Sequence, residues 1–98
     1  MTLIRAAGGT LCRMPEISRF LGIVIGMYHR EHGLPHFHAR YAGHKISVEV
    51  ESAVVHGSFP PRALRHVLDW AALHEAELLA NWKLARQGKP TGRIAPLE

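Results

Sequence analysis

Cysteine is almost missing: Cys12 is the only one in 98 residues. An internal disulfide is therefore excluded, and a reducing cytoplasm is the expected setting. Long apolar runs are missing too. No stretch approaches the roughly 18 apolar residues that a membrane-spanning helix needs, because the run around Ile23 is short and interrupted by Gly22 and Gly26. The first residues carry no continuous apolar segment of the secretory kind. There is no internal repeat and no low-complexity tract. Acidic residues are also in short supply, 8 against 12 basic ones, which gives a formal charge of +4 and an isoelectric point near 9.8. A basic chain is drawn to nucleic acid or to another acidic surface.

Length and composition point to one domain with one modest core. Residues 1–13 show no periodicity and read as a flexible lead, with 14–98 forming a single α+β domain. Met14 opens the more structured text and is the expected start; from there the charge falls to +2, because Arg5 and Arg13 are left behind. Residues 20–30, "FLGIVIGMYHR", read as a strand. Its adjacent β-branched Ile23, Val24 and Ile25 predict cover on both faces. Gly22 and Gly26 share the face of Val24 and leave room for a second backbone.

A hairpin follows the loop "EHGLP". Phe37, Ala39 and Tyr41 alternate with His36, His38 and Arg40, and Ile46, Val48 and Val50 alternate with Lys45, Ser47, Glu49 and Glu51. Period two marks half-buried strands. A two-residue turn at Ala42–Gly43 pairs Tyr41 with His44, Ala39 with Ile46 and Phe37 with Val48. It also sets His36 opposite Glu49 and His38 opposite Ser47, and a slip of one residue would ruin the match. A short strand is expected at 53–57. Helix follows from Ser58 to about Pro90, as one long helix or as two broken near His74. Pro60 and Pro61 open it, Ser58 is a possible cap, and Gly88 with Pro90 stops it. The tail is expected to dock through Ile94 and Leu97. The predicted architecture is an antiparallel sheet of three or four strands against a C-terminal long helix or helix pair.

Eight residues are histidine, five of them between His29 and His44. Residues i and i+2 of a strand project to one face. His36 and His38 can therefore converge on one metal ion or one phosphate. His32 is a third imidazole in reach, and Glu49 is placed to orient His36 from the next strand. Such donors suit zinc, manganese or iron. Without metal, His36 and His38 could act as base and acid at a phosphodiester, since imidazole titrates near neutral pH. The plainer alternative is that both are solvated strand residues. The His–hydrophobe–His text is also similar to the metal strand of rolling-circle-type nucleases, which would cast Tyr28 or Tyr41 as nucleophile. Tyr41 is read more simply as core. Trp70, His74, Leu78 and Trp82 form a helical stripe that packs on the sheet, with His74 as a further ligand in the sharper reading. Arg40 and Lys45 flank the histidines as candidate contacts to nucleic acid.

Several motifs occur in order: "MPEISRF", "EHG.PHFHARY", "G.FPPRAL" and "W..LHEAELLANW". Together they resemble the domain of unknown function 4160 family, from Met14 to Glu98. The resemblance implies a small bacterial protein that pairs with another small protein encoded nearby, as in toxin–antitoxin modules. It emphasises His32, Pro35, His36, Phe37, His38, Tyr41, Trp70, His74 and Trp82. Glu31 stands where members often carry Asp. The expected function is the toxin-like, nucleic-acid-acting member of such a module, working through the histidines with or without a divalent metal (zinc or manganese). The alternative is a non-catalytic metal- or partner-binding regulator of the antitoxin kind, and self-association is compatible with either.

Overall fold

A computed structural model describes residues 14–98, so the expected lead at 1–13 lies outside the described residues. The described residues form five strands, β1 (Glu16–Phe20), β2 (Ile23–Gly26), β3 (His36–Tyr41), β4 (His44–Glu49) and β5 (Val55–Gly57). Two helices follow, α1 (Pro61–Leu73) and α2 (Glu75–Arg86). The strands make one antiparallel sheet in sequence order. The α+β class and the C-terminal helix pair match expectation. The sheet has five strands rather than three or four.

The extra strand is β1, which lies ahead of the segment read as a single strand over 20–30 and shares only Phe20 with it. Leu21 (φ 53°) and Gly22 (φ 79°) both occupy the left-handed region. Two such residues make the tight turn whose twist suits a hairpin. Gly22 is therefore a turn residue, and β1 and β2 pair through Phe20 and Ile23. Ala42 (φ 48°) and Gly43 (φ 85°) repeat the same turn between β3 and β4. There the register agrees with the sequence at every position, from His36 opposite Glu49 to Tyr41 opposite His44. At Gly26 a Cβ would stand 2.6 Å from the Pro15 carbonyl oxygen, so glycine admits a second backbone there as expected.

One face of the sheet carries the core. Ile23, Ile25, Phe37, Ala39, Ile46 and Val48 are buried beneath Ala63, Val67 and Trp70 of α1, and Leu78 and Trp82 of α2 join the same cluster. Trp70 is fully buried between Phe20 and Phe37, and its indole N–H donates to the Ala95 carbonyl at 2.8 Å. Among the described residues, no helix covers the opposite face above β2. Val24, on that side, is only half-buried, while Gly26 on the same side is buried against Met14 and Pro15, so the described residues give this face of β2 partial cover.

The helix breaks at His74, as the sequence allowed, and α1 starts at Pro61 without a side-chain cap, so Ser58 does not serve as one. At the far end, Gly88 (φ 72°) donates to the Ala85 carbonyl and Lys89 to the Leu84 carbonyl, the paired closure of a glycine stop. The tail returns to β1, where Ile94 N–H donates to the Ile17 carbonyl and Ile94 is buried; Leu97 packs half-buried on the core. Asn81 clamps the same tail through two hydrogen bonds to the Gly92 backbone.

Glu16 fastens the outside of this junction. Its carboxylate accepts from Arg19 at 2.8 Å and from Arg93 at 3.0 Å, and these two guanidinium groups, Arg19 first, hold its pKa at about 2. A lowered carboxyl stabilises the fold above its ordinary range near 4.5, and that contribution disappears as pH falls towards 2. A Glu16→Gln protein should melt slightly below the wild type at pH 7, and the gap should close by about pH 2. A gap in melting temperature that does not change with pH would show that these pairs contribute nothing.

Candidate metal centre

His36 and His38 project from β3 to the face away from Phe37 and Ala39, and their ring centroids lie 5.2 Å apart. The third member is not His32 but Glu31. Its carboxylate meets His38 Nε2 at 3.0 and 3.2 Å and His36 Nε2 at 3.2 Å. One donor atom from each of these three residues lies within 4.8 Å of the other two. Each side chain is about a fifth to a third exposed: 17% for His36, 22% for His38 and 30% for Glu31.

The protonation of His36 is set by its other nitrogen. Nδ1 lies 2.8 Å from the Leu34 carbonyl. A carbonyl only accepts, so Nδ1 carries the proton. In a neutral ring Nε2 is then a bare lone pair aimed at a carboxylate oxygen 3.2 Å away. Two acceptors face each other there, and the contact is favourable only with a proton or a metal ion between them. A backbone carbonyl that fixes the far nitrogen is the usual support of a metal-ligating histidine. Donors around tetrahedral zinc, bonded at about 2.0–2.1 Å, stand roughly 3.3 Å apart. The His38–Glu31 and His36–Glu31 separations are close to that spacing.

The surroundings hold these groups in place. Arg30 (φ 60°) is a non-glycine residue in the left-handed region immediately before Glu31, a conformation costing about 1–3 kcal/mol. Its N–H donates at 2.8 Å to the Ala85 carbonyl, in the last turn of α2, so the helix end pins the loop that carries the carboxylate. The Val50 N–H donates to the Pro35 carbonyl and fixes the start of β3. Trp82 packs on His36 with centroids 4.9 Å apart, and Tyr28 sets its ring against His38 at 4.8 Å in an edge arrangement.

The other expected site residues are placed differently. Glu49 lies across from His36 in register but does not orient it. Its carboxylate accepts from His56 at 3.0 Å and from the Ser52 hydroxyl at 2.7 Å, and these bonds, His56 first, lower its pKa. His32 is exposed in the loop and is not one of the three clustered residues. Tyr41 belongs to the core face, packed against Phe59, so Tyr28 is the tyrosine beside the histidines. His74 pairs with Glu77 and packs at a tilt against Trp70 at the helix break instead of turning to the sheet histidines. Arg40 and Lys45 are exposed cross-strand partners on the face away from the core, and neither forms an ion pair among the described residues. With Tyr28, His38, Ser47 and His56 they line a recess of about 220 Å³.

Glu31 is the residue that strand periodicity could not find. It sits in a loop seven positions before His38, and its only signal was an acidic side chain just ahead of the histidines.

Fold and site together describe a small sheet-and-helix-pair domain with a two-histidine, one-carboxylate cluster on the sheet face away from its core. The chain belongs to the family described as domain of unknown function (DUF4160), whose model matches residues 22–83 and so includes all three clustered residues. No curated protein and no solved structure matches it. Among the described residues no helix is long and apolar enough to cross a membrane.

Proposed function

We propose that the protein binds a divalent metal ion, zinc or manganese, through Glu31, His36 and His38, and acts there on a phosphodiester of nucleic acid. The observation that carries this reading is the convergence of donor atoms from His36, His38 and Glu31 to within 4.8 Å of one another, with both imidazole Nε2 atoms at the one carboxylate. Three protein donors with one side open to solvent are the arrangement of a catalytic metal site, not of a closed structural one. A metal in this place polarises a phosphoryl oxygen or a water. Arg40 and Lys45, two residues along from His38 and its partner Ser47 and on the same face, supply the positive charge that a phosphate backbone requires. Such an activity fits the toxin-like member of a two-protein module, with the partner protein acting as its restraint.

The test is cleavage of a labelled single-stranded oligonucleotide by protein purified without a histidine tag. Cleavage should require added zinc or manganese, stop with a chelator and vanish in a folded His38→Gln protein. Metal binding with no turnover on RNA or DNA would leave a binding module and refute the catalytic reading.

A further inference from the structure

On the face away from the core the pairing registers place His38, Ser47 and His56 side by side on β3, β4 and β5. Strands are about 4.8 Å apart, so His38 and His56 stand roughly 10 Å from each other across Ser47. Both line the 220 Å³ recess that Arg40 and Lys45 also line. His56 therefore lines the same recess as His38, across Ser47 from it.

His56 is also oriented. Its Nε2–H donates to Glu49 Oε2 at 3.0 Å, and Glu49 is in turn fixed by the Ser52 hydroxyl on its other oxygen at 2.7 Å. The carboxylate leaves Nδ1 as the nitrogen free for another partner and stabilises the ring when it carries a second proton. An exposed histidine needs neither feature for folding, and 61% of this side chain is exposed. A carboxylate that holds one imidazole nitrogen while the other faces a reacting group is a recurring acid–base arrangement.

We propose that His56, positioned by Glu49, is the general acid of the phosphodiester cleavage, a role that rests on the metal-site reading above. Water polarised at the Glu31–His36–His38 site forms the new bond to phosphorus and gives its proton to solvent. The bond from phosphorus to the leaving oxygen breaks, and that oxygen takes the proton of His56 Nδ1. Solvent then reprotonates the ring, and no oxidant or further reactant enters.

Leaving-group dependence tests this role. Ribose hydroxyl leaving groups need a proton, whereas p-nitrophenolate does not. With zinc or manganese present, His56→Gln should lower oligonucleotide cleavage by about 10²–10⁴-fold. The same variant should cleave bis(p-nitrophenyl) phosphate within a few-fold of wild type and bind metal unchanged. Glu49→Gln should show the same split to a smaller degree. Equal loss on both substrates, or no loss on either, overturns the role of His56 while leaving the metal site intact. Wild-type protein that cleaves neither substrate overturns both.

Discussion

A Trp70→Ala protein is expected not to fold. Trp70 is the largest side chain with no exposure. It packs against Phe20 of β1 and Phe37 of β3, and its indole N–H holds the returning tail at Ala95. Removing such a ring costs about 3–5 kcal/mol. The lost hydrogen bond leaves a carbonyl in need of water, adding about 1 kcal/mol. Domains of this size have only about 5–15 kcal/mol in total. Circular dichroism and thermal melting should show an unfolded or barely cooperative protein, and Trp70→Phe should recover most of the loss. A well-folded Trp70→Ala protein would mean that the two-helix layer does not depend on this contact. Trp82→Ala should cost about 3–5 kcal/mol by the same cavity argument, and it has a second consequence, since Trp82 also supports His36.

The other large effect belongs to Glu31. A Glu31→Gln protein keeps shape and size but loses the charge that faces both Nε2 atoms. It should fold with a melting temperature near that of wild type. Changes to residues that merely support a ligand cost about 10–100-fold in metal affinity. Loss of the carboxylate itself should exceed that range in calorimetric titration with zinc. His32→Gln should leave affinity unchanged, because His32 stands outside the cluster. If Glu31→Gln bound zinc as tightly as wild type, the carboxylate would be only an ion-pair partner for a protonated histidine.

How far the sequence could be read depended on where the information lay. The β3–β4 hairpin was legible because two period-two runs and a two-residue turn allow a single register, and every pair from His36–Glu49 to Tyr41–His44 follows from it. β1 was not, because Ile17, Ser18 and Phe20 are all buried and an irregularity between Glu16 and Ser18 erases the alternation. Leucine at the first turn position concealed the turn, since it sits at positive φ where glycine or asparagine is usual.

The site divides in the same way. That His36 and His38 share a face follows from strand geometry alone. Their carboxylate does not, because a loop with Arg30 and Gly33 at positive φ determines how Glu31 folds back, and no spacing encodes that path. Glu49 was chosen for its register opposite His36, but a residue in an inner strand has two neighbours, and its side chain turns to His56 on the other side.

X-ray absorption on the zinc-loaded protein, purified without a histidine tag, tests the central claim most directly. The expected spectrum is one zinc per chain bonded to two imidazole nitrogens and a carboxylate oxygen at about 2.0–2.2 Å, with solvent completing the shell. Zinc with one imidazole or none, or a chain that takes up no zinc at neutral pH, would contradict it.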